Sequence, residues 1–240
     1  MAGGYYTALS GMRARLDALD RLASDIANAN TAGYKAERGA NAEAARARFG
    51  AELQSAIDVV SGKTRVDLRP GALTPTGRGL DVAIEGNGLF EIETASGPRY
   101  TRNGRFERRA DGMLATVEGD AVMGDSGPIS LGTGPVEIDA DGTVRHAGAV
   151  AGRLRVVTFE AADGLVRESS LRMRNDGPAA PVIVEAPRVK AGALEQSNVS
   201  IADRLVELTA ANRNFEALQR ALSVLMNDVD SRVISELGRR

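Results

Sequence analysis

Apolar residues recur every three or four positions at both ends of this chain and about every second position between them. Near the start the series is Leu9, Met12, Leu16, Leu19, Ala23 and Ile26. Near the end it is Ile201, Leu205, Leu208, Phe215, Leu222, Met226, Val229 and Val233, and no proline interrupts either stretch. Such spacing predicts two helices, each with an apolar stripe. The second series steps by four and three as a coiled-coil seam does, with Asn212 and Gln219 as its polar interruptions. At about 1.5 Å per residue that helix is roughly 50–60 Å long, more than the core of a mid-sized domain requires. The stripe needs a partner, either the other terminus or another copy of the chain.

Asn28, Asn30, Thr31 and Gly33 follow the first helix and predict its stop near Asn30. Ser200, with Asp203 in the following turn, predicts the N-cap of the second. The stretch Asn41 to Ile57 favours a short helix by composition, weakened by Gly39 and Gly50. The period then changes. Arg65–Leu68, Asp81–Glu85, Leu89–Glu93 and Arg153–Phe159 alternate as half-buried strands do. Asn87-Gly88, Asn103-Gly104, Asp111-Gly112 and Asp141-Gly142 are tight-turn pairs between them. Pro178, Pro181 and Pro187 predict an edge strand or an extended exit. The expected fold is α+β: long terminal helices pairing as an antiparallel coiled coil, with an all-β antiparallel domain inserted between them. The expected boundaries are 1–35 for the first helix, 36–61 for a connecting segment, 62–192 for the β domain and 193–240 for the last helix.

Composition narrows the function. Aromatics make up 4% of the 240 residues and tryptophan is absent, so the core must be aliphatic, which suits extended packing better than a deep ligand pocket. A net charge of −2, without a dense basic run, argues against nucleic-acid binding. The absence of cysteine excludes disulfides and thiolate metal sites. No apolar run approaches the ~20 residues of a membrane span, and the opening Met1-Ala-Gly-Gly-Tyr-Tyr lacks the marks of a cleaved secretory signal. No small-molecule substrate, cofactor or metal is implied.

Candidate catalytic residues are sparse. Gly124-Asp125-Ser126-Gly127-Pro128 resembles a protease serine loop, but a serine nucleophile needs a histidine base and an orienting carboxylate. The single histidine, His146, follows the serine in the chain. A serine hydrolase using Ser126 and His146 is therefore the enzymatic alternative, beside a β-turn as the plainer reading. Glu91 and Glu93 share a strand face and could pair as glycosidase carboxylates, although alternating charge on a solvated strand face is the far commoner arrangement. Asn28 and Asn30 are either a helix stop or amides that bond across subunits at an assembly joint.

Three groups of residues together resemble the bacterial flagellar rod and hook proteins. Ser10-Gly11-Met12 and Asp25-Ile-Ala-Asn-Ala-Asn-Thr-Ala-Gly-Tyr-Lys35 are similar to that family's N-terminal motif. Gly88-Leu-Phe90, Tyr100-Thr-Arg-Asn-Gly-Arg-Phe106, Asp111-Gly-Met-Leu114 and Gly119 resemble the β-domain sequence of the rod members, as do Gly71–Gly77 and Leu80–Ile84. Leu194-Glu-Gln-Ser-Asn-Val199 with Asn212-Arg-Asn-Phe-Glu216 resembles the C-terminal motif. Ser24-Asp25 departs from the family's usual Asn-Asn pair, and Leu89-Phe90 from its Gly-Phe-Phe. The length and the Gly4–Gly11 opening are most similar to the proximal-rod member, with the distal-rod member as the alternative.

The resemblance implies a non-enzymatic subunit of the basal-body rod that polymerises axially and passes torque from motor to hook. Its implied partners are other rod and hook subunits, copies of itself and the flagellar export apparatus. Its implied location is the periplasm-spanning rod, reached without signal cleavage. The residues expected at the assembly seam are Leu9, Met12, Leu16, Leu19, Ile26, Asn28 and Asn30 with Ile201, Leu205, Leu208, Phe215, Leu222 and Val229. An adhesin-like or chaperone-like coiled-coil module acting outside the flagellum is a third reading.

Overall fold

The computed structural model describes residues 2–39, 64–160 and 164–237. Among them are two helices, α1 (Ala2–Ala27) and α2 (Ile201–Leu237), and nineteen short strands. The contacts divide the chain into two units. One contains Met1–Ala27 and Ser200–Arg240, the other Asn28–Arg38 and Thr64–Val199.

The β unit is organised on the hairpin Leu89–Thr94/Gly97–Thr101, in register from Phe90 opposite Thr101 to Thr94 opposite Gly97. Gly97 closes the turn at a φ of 95°, a left-handed conformation that glycine adopts without steric cost. Val156–Thr158 pairs with the start of the first hairpin strand and Ala121–Gly124 with its middle, both antiparallel. The sheet continues through Leu114–Thr116 to Phe106–Arg108 on one side. On the other it continues through Met173–Asn175 to Leu165–Arg167. Val182–Ile183 pairs only with Val156–Thr158 among the described strands, so the proline-flanked segment is an edge, as its prolines predict.

Strand alternation distributes the apolar side chains to two clusters. Phe90 and Ile92 join Val82, Phe106, Leu114, Val122 and Leu154 in the larger one. Leu89 points the other way, into a cluster with Tyr100, Val157, Leu165 and Met173. Phe90 and Phe106 meet edge to face, centroids 5.1 Å apart at 78°, the arrangement that the ring quadrupoles favour. The predicted strand Arg153–Phe159 is divided: Ala149–Arg153 belongs to a three-stranded sheet with Val136–Ile138 and Thr143–His146, and Val156–Thr158 to the large one.

In the helical unit α2 begins as predicted, with the Asp203 N–H donating to Ser200 Oγ at 3.4 Å and the Arg204 N–H to the Ser200 carbonyl at 3.0 Å. Three residues earlier than expected, α1 ends at Ala27. Asn28–Asn30 forms a turn, closed by the Thr31 N–H on the Asn28 carbonyl at 3.0 Å.

The expected fold class is corrected. The described chain is β-rich, with two helices against nineteen strands, and the helices are not the clearly paired coiled coil that the stripes suggested. Leu16 is 44%, Ile201 42% and Leu205 47% exposed, where a seam would bury them. Among the described side chains of α1, Leu22 and Asp25 are buried. Among the described side chains of α2 the more covered ones are Arg204, Leu208, Ala211, Phe215 and Leu218. The physical reason is charge: the buried Asp25 takes Arg204 at 3.1 Å, which turns Arg204 inward and leaves Ile201 and Leu205 outside. The short helix expected in Asn41–Ile57 lies outside the described residues.

Candidate functional site

The densest polar arrangement in the β unit is a buried charge cluster around Glu195, which is 1% exposed. Its carboxylate accepts from Lys35 Nζ and Arg102 Nε, two cations almost as deeply buried. It also accepts the Gly71 N–H at 2.8 Å. Lys35 Nζ donates further to the Arg69 carbonyl at 2.8 Å. The Arg102 guanidinium donates to the carbonyls of Ile84 at 3.0 Å, Gly86 at 2.6 Å, and Gly88. Nearly every donor and acceptor is thus matched, the condition under which buried charge is tolerated. Burial pulls the Lys35 amine below its ordinary pKa, and the Glu195 carboxylate opposes that pull.

The cluster ties three remote segments together. The Gly33 N–H donates to the Glu195 carbonyl at 2.8 Å. A Cβ at Gly33, whose φ is 75°, would lie 2.3 Å from the Asn103 backbone, so only glycine allows this approach. Asn198 extends the tie, its Oδ1 accepting the Ala36 N–H at 2.8 Å and its Nδ2 donating to the Asp67 and Arg69 carbonyls at 2.8 and 3.0 Å. Arg167 stacks on the Tyr34 ring, 4.2 Å from its centroid, and pairs with Glu37 at 3.1 Å. The chain therefore passes into and out of the β unit through one buried clasp.

The predicted seam residues fall elsewhere. Met12, Leu19, Ile26, Leu208 and Phe215 are partly covered, and Leu16, Ile201 and Leu205 are exposed. The side chains of Leu9, Leu222 and Val229 lie outside the described residues. Asn28 is partly covered and Asn30 exposed; the Asn28 Oδ1 accepts from the Thr31 hydroxyl at 3.2 Å. The structure does not bring the catalytic candidates together. Ser126 is an exposed turn residue, His146 lies against Gly132 and Gly134, and no hydrogen bond joins them among the described residues. Glu91 pairs with Arg155 at 3.4 Å, while Glu93 is exposed.

Three family models match in chain order. "Flagella basal body rod protein" covers residues 6–35, "Flagellar hook protein FlgE/F/G D1 domain" 83–146 and "Flagellar basal body rod FlgEFG protein C-terminal" 190–227. The chain is 31% identical over 230 residues to the flagellar basal-body rod protein FlgF of Caulobacter vibrioides, spanning 92% of this chain and 93% of that one. It belongs to the flagellar basal-body rod protein family. Similar relatives include FlgF of Escherichia coli, 32% identical over 91% of this chain and 92% of its own, and FlgG of Bacillus subtilis, 32% identical over 93% and 95%.

The rod protein is a structural subunit of the basal body, assembling with other rod and hook subunits, and not an enzyme. The hydrolase alternative on Ser126 and His146 is thereby set aside. Each matched segment contributes to the clasp: Lys35 from the first, Arg102 from the second and Glu195 from the third. Sequence reasoning read these motifs without assigning the charges a role. The available signal was an ionisable residue, Lys35, Arg102 or Glu195, inside each otherwise mostly uncharged string.

Proposed function

We propose that the rod protein divides its work between its two units. The β unit is a self-sufficient body, and the terminal helices are the polymerising element. The proposed division keeps the expected segments, 1–35 and 193–240 for the helices, 36–61 for the connection and 62–192 for the β domain, but assigns Asn28–Lys35 and Ala193–Val199 to the β unit, to which their contacts belong. The single observation that carries this reading is the row of exposed apolar side chains on α2, Ile201, Leu205 and Val206, with Leu16 on α1. A subunit that ends in such a surface gains stability by covering it with neighbours, and contacts between unlike surfaces propagate as a filament. The seam set, Leu9, Met12, Leu16, Leu19, Ile26, Asn28 and Asn30 with Ile201, Leu205, Leu208, Phe215, Leu222 and Val229, is the proposed contact region.

Substitution Leu205→Asp tests this. The purified variant is expected to keep its folded β unit and to fail to enter basal bodies. Normal incorporation and motility would refute the assignment of α2 to assembly.

Chain length and the Gly4–Gly11 opening support a position in the proximal rod. In a deletion strain, electron cryotomography should show basal bodies that stop at the inner membrane; a rod extended to its distal part would reassign the position. The same proposal includes passage through the flagellar export apparatus with the N-terminus retained. N-terminal sequencing of protein recovered from rods should return the encoded start, and a shortened start would refute retention.

A further inference from the structure

The sequence contains two Asn-Gly pairs, Asn87-Gly88 and Asn103-Gly104, and the fold treats them oppositely. Asn103 is 8% exposed. Its Oδ1 accepts the Arg105 N–H at 3.1 Å, and its own N–H donates to Thr101 Oγ1 at 3.0 Å. A Cβ at Gly104 would lie 1.6 Å from the Val82 carbonyl oxygen, so that backbone is tightly enclosed. Asn87 is exposed, in a bend between Gly86 and Gly88 at φ values of 105° and 142°. Its side chain makes no hydrogen bond among the described residues.

We propose that Asn87 is a site of spontaneous deamidation and isoaspartate formation in the folded protein, and that Asn103 is protected. In this reaction the Gly88 backbone nitrogen, losing its proton to solvent base, attacks Asn87 Cγ. The C–N bond to the side-chain amide breaks and ammonia leaves, closing a five-membered succinimide. Water then opens the ring at either carbonyl, giving aspartate or isoaspartate; nothing is oxidised or reduced. The step requires the peptide between Asn87 and Gly88 to turn toward the side chain. Arg102 holds the carbonyls of Ile84, Gly86 and Gly88, and not that of Asn87, so the peptide that must turn is the one left free.

The product bears on the clasp. Isoaspartate inserts a methylene into the backbone between two carbonyls that hold Arg102 and adds a negative charge beside them. Conversion therefore loosens the Arg102 end of the buried cluster.

The test is to hold the folded full-length protein in mildly alkaline buffer and follow both sites by peptide mass mapping and isoaspartyl methyltransferase labelling. Asn87 is expected to convert, with Asn103 slower by ~100-fold or more, because its reaction must await local opening. In denaturant the two sites should converge. Equal rates in the folded protein, or conversion at Asn87 only after unfolding, would overturn the proposal. Asn87→Ser should abolish labelling of the peptide that spans residue 87 without changing the thermal midpoint of the fresh protein. Aged wild-type protein should melt below equally aged Asn87→Ser; identical midpoints would overturn the link to Arg102.

Discussion

The two units solve the problem of apolar surface in opposite ways. The β unit buries Phe90, Phe106, Ile92, Leu114, Val122 and Val144 completely and caps its chain passages with a matched charge cluster. The helical unit leaves Val206 69%, Leu205 47% and Ile201 42% exposed. Burial of a Leu or Val side chain is worth ~1.5–3 kcal/mol, so the first unit collects much of this stabilisation within one chain, with Val117, Val150, Val182 and Ile183 left exposed on it, and the described side chains of the second collect little. A rod subunit has use for both: a body that is finished before assembly and a surface that is finished by it.

The largest test of that contrast is in the β core. Phe106→Ala removes one ring of an edge-to-face pair from a fully buried site and should cost ~3–5 kcal/mol. Chemical denaturation followed by circular dichroism would measure it, and a loss under ~1 kcal/mol would contradict a self-sufficient core. Glu195→Gln comes next. It leaves Lys35 and Arg102 as neighbouring buried cations, and breaking such a pair costs about 3–5 kcal/mol. Adding Lys35→Met should recover part of the loss, because an uncompensated charge is then removed; no recovery would mean that the cluster is not a coupled unit.

Gly33→Ala should cost ~1–3 kcal/mol, through a strained φ and a collision with the Asn103 backbone. A neutral result by thermal melting would show that the clasp yields. Leu205→Asp, by contrast, should leave the stability of the purified chain within ~0.5 kcal/mol while removing it from basal bodies. Equal losses in both assays would erase the distinction between the units.

The smallest effect is a surface one. Arg109 beside Asp111, aided by the Met113 N–H, lowers that carboxyl from 3.8 to about 2. The folded value lies below the unfolded one, so its contribution is fully present above pH 3.8 and is lost as pH falls through about 2. Both partners are about half exposed, and salt should screen the shift. NMR titration of the side-chain carboxyl at low and high ionic strength would detect it; an unshifted midpoint at low salt would remove the pair from consideration.

Much of the β unit was legible because its signals are local. Asp111-Gly112 and Asp141-Gly142 each close a hairpin, with the glycines at φ 85° and 82°. The alternation Leu89-Phe90-Glu91-Ile92 reports which side chains face which cluster. The strand that was read as continuous from Arg153 failed because Leu154 and Arg155 pass from one sheet to another, a long-range choice that leaves no periodic trace. The helices were legible as helices from their spacing and the Ser200 cap. Which stripe of α2 is covered was not, since apolar periodicity ranks Ile201 and Leu205 above Arg204.

The sequence by itself determined the type of most described elements, many of the turn positions, a core poor in aromatic residues and the three motifs that mark a rod protein. These depend on propensity and period, which neighbours a few residues apart carry. Tertiary structure decided that Lys35, Arg102 and Glu195 meet, that Gly33 lies against Asn103, and that Asp25 draws Arg204 inward. A charge buried between segments up to 160 residues apart is stable only where all its partners arrive together, and that condition belongs to the fold rather than to any one stretch of chain.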